Sequence, residues 1–259
     1  MLAEQIATFI HGMKILLSFL ILAQFCCSVE AKVLTIGLGN FKPLFAEPDE
    51  PALFKDLLDG VFRYMPEYKI NYHYMLSNAR LLKELIDGRV DGSANIFSQN
   101  EFEGCLTNPT FRYADVAISA KKDQYQINKL ADLKGKSLVT YQRAITLLGE
   151  EFKSIANTAP YYREIAQPAE QAILLAKGFA DLSIGDKYIF LYSIRENTEF
   201  DVNQFEFHPI FPMVYSSVGF RSKQHCDEFN AALRQFQLSG EYEHVYQKHL
   251  KSLGYKESI

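Results

Sequence analysis

The titratable and nucleophilic side chains of this chain form no familiar catalytic constellation. Beyond the first 31 residues, which contain His11, the histidines are His73, His208, His225, His244 and His249. His244 and His249 are five residues apart, which sets them on different faces of a helix and disfavours a metal pair. The sequence has no phosphate-binding loop, zinc-protease motif or nucleophile elbow. Gly37-Leu-Gly39 is a fragment of a dinucleotide fingerprint, with Lys42 where the third glycine belongs. No metal, cofactor or catalytic residue is therefore expected, and the chemistry that remains is binding. Arg143 follows a strand-like segment ending at Tyr141 and precedes a helical one, a place where backbone amides and the helix dipole favour an anion. It reads equally well as a solvated loop arginine. Asp186 follows a strand-like segment and stands just before a helix, where a carboxylate caps the helix or accepts charge-assisted hydrogen bonds from a ligand. The 20 Phe and 15 Tyr of the 259 residues supply flat faces with polar tips suited to a cleft. The formal net charge of −4 argues against a protein that works by neutralising phosphates.

These side chains must be positioned by a chain whose first 31 residues differ from the rest. Ile15 to Phe25 is an apolar run preceded by Met13-Lys14 and followed by Val29-Glu30-Ala31. That is the layout of a secretory signal peptide cut before Lys32, too short for a span of about 20 residues. Met13 is an alternative start to Met1. The leader carries Lys14 against Glu4 and Glu30, so the mature chain remains acidic, and it takes Cys26 and Cys27 with it. Cys105 and Cys226 are left, either as one disulfide or as two buried thiols.

Beyond the leader, short apolar runs alternate with helical stripes. Val33 to Leu38, Lys69 to Leu76 and a segment entered at Val90-Asp91 read as strands. They are separated by helices carrying Leu53, Phe54, Leu57, Leu58, Val61 and Phe62, then Leu81, Leu82, Leu85 and Ile86. This βαβαβ order implies a parallel sheet with ligands at the carboxyl ends of its strands. The order repeats with strands Val116 to Lys122, Ser137 to Tyr141 and Ala180 to Ile184, and helices Thr146 to Ile155 and Pro168 to Lys177. A strand at Met213 to Arg221 and two helices close the chain.

Four stretches carry a resemblance. Gly88-Arg89-Val90-Asp91, Leu130-Ala-Asp-Leu-Lys-Gly-Lys-Ser137, Gly178-Phe-Ala-Asp-Leu-Ser-Ile-Gly-Asp186 and Ser239-Gly-Glu-Tyr-Glu-His-Val-Tyr246 are, in order and spacing, similar to motifs of the bacterial extracellular solute-binding proteins of the polar amino acid type, the periplasmic receptors of ABC importers. The resemblance implies an α/β chain with the two-lobed type II periplasmic-binding-protein fold. Each lobe would be a mostly parallel sheet flanked by helices, with the ligand cleft between them. Lobe 1 would comprise residues 32–119 and 215–259, and lobe 2 residues 120–214, with Ala114 to Lys122 and Met213 to Phe220 as the hinge connections.

It also implies ligand residues. Asp186 matches the aspartate that pairs with a ligand ammonium group. Phe45 matches the phenylalanine of the aromatic loop after the first strand, with Phe41 a stand-in for the other ring and Tyr141 at a neighbouring strand end. Asn95 and Ser98 would hydrogen-bond a polar ligand or cap the turn. The family's carboxylate-gripping arginine is missing from Asn95 to Gly104, where Glu101 and Glu103 stand instead, and a carboxylate cannot replace a guanidinium fork. Arg143 could substitute for it; alternatively the ligand is cationic and meets Asp186, Glu101 and Glu103. The expected activity is periplasmic binding of a small polar or zwitterionic, amino-acid-like solute by a monomer. It would deliver that solute to a membrane ABC permease, with no part for nucleic acid. The alternatives are a ligand-sensing module for a membrane sensor, or a cyclohexadienyl-type dehydratase using Glu103 or Asp186 as general acid.

Overall fold

The computed structural model describes residues 31–196 and 199–255. The expected leader, up to residue 30, lies outside the described residues. From Val33 onward the chain forms one compact unit built on two sheets.

The first sheet contains β1 (Lys32–Gly37), β2 (Tyr68–His73), β3 (Gly92–Ile96), β4 (Cys105–Leu106), β5 (Phe111–Tyr113) and β11 (Val214–Phe220), ordered β2-β1-β3-β11-β4 with β5 also paired to β11. β1 and β3 are parallel, Ile36 facing Gly92. The expected helices are α1 (Leu53–Phe62) and α2 (Asn78–Ile86). The apolar stripe of α1 fixes its seat, since Leu53, Phe54, Leu57, Leu58 and Val61 are all fully buried. Gly60 lets this helix approach α7 (Lys223–Leu238) closely, because a Cβ there would stand 2.3 Å from the Phe236 ring.

The second sheet contains β6 (Asp115–Ala120), β7 (Leu138–Tyr141), β8 (Tyr162–Ile165), β9 (Leu182–Asp186) and β10 (Phe205–His208), ordered β10-β6-β9-β7-β8. Its helices are α3 (Ala144–Leu147), α4 (Gly149–Thr158), α5 (Pro168–Ala176) and α6 (Lys187–Arg195). The single helix expected over Thr146 to Ile155 is two, broken at Gly149, whose φ of +88° leaves the helical region. α8 (Glu241–Ser252) follows α7 and ends the described chain.

The sheets are mixed, which corrects the expectation of mostly parallel ones. β7 is parallel to β8 and β9, but β6 runs antiparallel to both β9 and β10, and β11 antiparallel to β3, β4 and β5. The added antiparallel strands flank the two points at which the chain crosses between sheets, from β5 into β6 and from β10 into β11. β4, β5, β8 and β10 were not anticipated; at two to four residues each they are too short to show a period. Cys105 and Cys226 form a disulfide that ties β4 to α7. One core runs from β1, α1 and α7 through Tyr246 and Leu250 of α8 to Tyr188, Leu191 and Ile194 of α6. A second, around Leu138, Phe152 and Leu182, fills the far side of the second sheet.

Candidate functional site

The two carboxylates nearest the crossing strands face each other across a sheet. β6 and β9 are antiparallel with Asp115 and Asp186 as direct partners, so the two side chains leave the same face. Asp186 is the last residue of β9 and the N-cap of α6. Its Oδ1 accepts the backbone N–H groups of Tyr188 (2.9 Å) and Ile189 (3.1 Å), and its Oδ2 that of Ala114 (2.8 Å). The cap reading and a site position therefore coincide in one side chain. Asp186 is 7% exposed. Burial, followed by the nearby Asp115 charge, pushes its carboxyl up to about 7, although three backbone N–H groups pull the other way.

Asp115 accepts a hydrogen bond from the Tyr141 hydroxyl at 3.0 Å, and burial lifts its carboxyl above the ordinary range. Among the described residues, no lysine or arginine pairs with either carboxylate. Two phenols complete the group. Burial first, and then the Asp186 charge, raises the Tyr113 hydroxyl, while burial and Asp115 raise that of Tyr141. Both therefore remain protonated donors at neutral pH. Buried carboxylates without a cation are unfavourable when ionised, so this group takes up a proton or a cation and repels an anion.

Asn95 adopts a φ of +64° and is buried. It accepts from Tyr113 Oη (2.5 Å) and Ser216 Oγ (2.8 Å) through Oδ1 and donates to Asn78 through Nδ2 at 3.0 Å. Its carbonyl oxygen and amide are thus engaged, and it holds the Tyr113 phenol. Phe97 stacks on the Tyr113 ring at 6.0 Å and leaves half its surface to solvent. Ser98 caps the short 3-10 turn Gln99–Glu101 by accepting the Asn100 N–H at 3.2 Å.

Phe41 is exposed on the loop after β1, but Phe45 is fully buried, edge-on to Phe54 at 5.4 Å and Phe111 at 6.2 Å. Phe45 is a core ring. Glu101 and Glu103 are surface residues. Arg143 is also exposed, with a φ of +68°. The backbone amides beside it are already engaged, because Glu164 accepts the N–H groups of Arg143 (2.7 Å) and Ile145 (3.0 Å) at the start of α3. A protein carboxylate thus satisfies these two backbone amides.

The structure brings Tyr141 and Asp186 together with Asp115 and Tyr113, and sets Asn95 behind Tyr113. It does not bring Arg143 or Phe45 into that group. Sequence reasoning missed Asp115 and Tyr113. The usable signal was an acid at the head of the apolar segment Val116 to Ala120, in a strand adjoining the one that ends at Asp186. No group of three or more His, Cys, Asp or Glu able to hold a metal occurs among the described residues.

No protein-family model matches the chain, and no curated protein matches it by sequence. Solved structures do. One is the probable amino-acid ABC transporter extracellular-binding protein of Bacillus subtilis, at a TM-score of 0.69 and 17% identity over 85% of this chain and 98% of that one. An amino acid ABC transporter substrate-binding protein from Streptococcus pneumoniae, solved with L-arginine, matches at 0.61 and 12% identity, covering 86% and 97%. A histidine kinase sensor domain with similarity to periplasmic binding proteins matches at 0.60 and 18% identity, covering 85% and 96%. With two mixed sheets flanked by helices and near-complete coverage of these neighbours, the chain has the two-lobed α/β fold of the periplasmic-binding-protein-like structures.

Proposed function

We propose that this chain is an exported receptor for a small, amino-acid-like solute bearing an ammonium group, delivered to a membrane ABC importer without chemical change. The observation that carries this reading is the buried Asp115 and Asp186 pair, which meets no cation among the described residues and stands between donor phenols at the crossing strands. An ammonium group bound there would accept both charges and convert a desolvation penalty into charge-assisted hydrogen bonds. On this reading the lobes are residues 32–119 with 215–259, and residues 120–214. They meet at the crossings into β6 and β11, where hinge motion would close them on the solute. The contacting residues are Tyr113, Asp115, Tyr141 and Asp186, with Phe97 and Phe41 as flanking rings. The Glu164 carboxylate takes the backbone amides at the start of α3, so on this reading the solute's cationic end dominates recognition.

Export is supported by the apolar run Ile15 to Phe25 and by the Cys105–Cys226 disulfide, a bond that persists in oxidising compartments. A second reading, a ligand-sensing module coupled to a membrane kinase, draws support from the sensor domain among the neighbours. A thermal-shift screen tests the binding claim, because a ligand that binds only the native state raises its melting temperature. Amino acids and simple amines should raise it, and the matched acids lacking the amino group should not. A protein shifted only by the des-amino acids would overturn the reading.

A further inference from the structure

A cavity of about 450 Å³ lies away from the carboxylate pair, between the carboxyl-terminal turns of α6 and α8 and the loop after β1. That volume falls within the usual range for small-molecule pockets, about 300–1,000 Å³. Pro43, Ala46, Pro51 and Leu253 give it an apolar wall. Its polar groups are not all satisfied by the protein. His249 lines the cavity with its side chain only 7% exposed. Its Nε2 lies 2.9 Å from Asp56 Oδ2, and no partner meets its Nδ1 among the described residues. Asp56 fixes the ring through Nε2 and leaves Nδ1 as a polar atom that the described residues do not engage.

The cations around the opening are unequally engaged. Lys42 is paired with Glu50 at 2.6 Å, and Lys248 reaches Asp56 at 3.4 Å. Arg195 donates Nη1 to the Ser252 carbonyl, and no carboxylate pairs with it among the described residues, although Glu196 stands next to it on the rim. The Tyr192 hydroxyl, half-buried on the same wall, likewise has no hydrogen-bond partner among the described residues.

We propose that this cavity is a second ligand site, taking a small 2-hydroxy carboxylate with an apolar body. The carboxylate lies against the free guanidinium nitrogens of Arg195, with the Tyr192 hydroxyl as a further donor. The ligand hydroxyl hydrogen-bonds His249 Nδ1, and the apolar body covers the Pro43, Pro51 and Leu253 wall. Such a ligand has no ammonium group, so the Asp115 and Asp186 pair does not attract it, and the two sites can be tested separately.

Mandelate is the probe, titrated calorimetrically into the full chain, with phenylacetate as its analogue lacking the hydroxyl. Arg195→Gln lies on the surface and is the informative variant. Removing a charge-assisted hydrogen bond weakens binding by about tenfold or more. The expected results are saturable mandelate binding, that loss in Arg195→Gln, weaker binding of phenylacetate than of mandelate, and unchanged mandelate affinity in Asp186→Asn. The proposal is overturned if mandelate does not bind at millimolar concentration, if Arg195→Gln binds it as well as the parent, if phenylacetate binds equally, or if Asp186→Asn abolishes binding. The last result would move mandelate to the crossing-strand site and count against the ammonium reading as well.

Discussion

Replacing Asp115 with Asn should make the ligand-free protein more stable at alkaline pH and a poorer receptor. Asp115 and Asp186 are direct antiparallel partners, a relation that sets Cβ atoms about 5 Å apart. Two unit charges at about 5 Å and an effective dielectric constant of about 20 repel by about 3 kcal/mol. Asparagine keeps an acceptor for the Tyr141 hydroxyl and removes only the charge. At pH 8, above the value of about 7 for Asp186, relief of this repulsion should stabilise the variant by about 2–3 kcal/mol. For a chain of this size that raises the melting temperature by roughly 4–10 °C. At pH 5 Asp186 is largely protonated, so the repulsion is removed and the gain should nearly vanish. An ammonium ligand loses one of its two counter-charges, so affinity at pH 8 should fall by about 30- to 100-fold. Scanning calorimetry at the two pH values and titration with an identified ligand measure all three effects. A melting temperature that falls at pH 8, a gain of equal size at both pH values, or an unaltered affinity would refute the reasoning.

Other outcomes follow from the same structure. Because Asp186 sits at about 7 in the folded chain, above its unfolded value, its stability contribution is fully present below the unfolded value and lost as pH rises through about 7. That loss amounts to about 4 kcal/mol between pH 4 and 8 in ligand-free denaturation curves, and a saturating ammonium ligand should reverse the trend. Reducing the Cys105–Cys226 disulfide, which spans 121 residues, releases a loop whose closure entropy is worth up to about 5 kcal/mol, visible as a lower urea midpoint under reductant. Phe45→Ala, which empties a fully buried ring position, should cost about 3–5 kcal/mol, whereas the exposed Phe41→Ala should alter stability by less than about 0.5 kcal/mol.

Most of the architecture was legible because the chain writes its buried elements as strong periods. The Leu53 to Phe62 stripe, the paired apolar strands and the repeated strand–helix order led to two α/β sheets. The strands that escaped notice are short and take their pairing from β6, β7 and β11, so their reason for existing lies in the partner strand and not in their own residues. Asp186 was legible as a helix cap because its place between strand and helix is local, and as a candidate site residue through the resemblance. Asp115 was not, since its significance depends on register with Asp186, 71 positions away in the sequence and adjacent in the sheet. The partner of the backbone amides beside Arg143 was not legible either: the acid that accepts them, Glu164, arrives from the neighbouring strand β8. The burial of Phe45 was not legible, because a phenylalanine looks alike in sequence whether it lines a cleft or packs against Phe54 and Phe111.

The central claim, that paired carboxylates at the crossing strands select a cationic group, is tested most directly by calorimetric titration at pH 8. Each amino acid or amine that binds is compared with its analogue lacking the amino group, on the parent protein and on Asp186→Asn. The account predicts saturable binding of the ammonium form, at least tenfold weaker binding of the des-amino analogue, and a matching loss in Asp186→Asn. Equal affinity for the two members of a pair, or full affinity in Asp186→Asn, would contradict it.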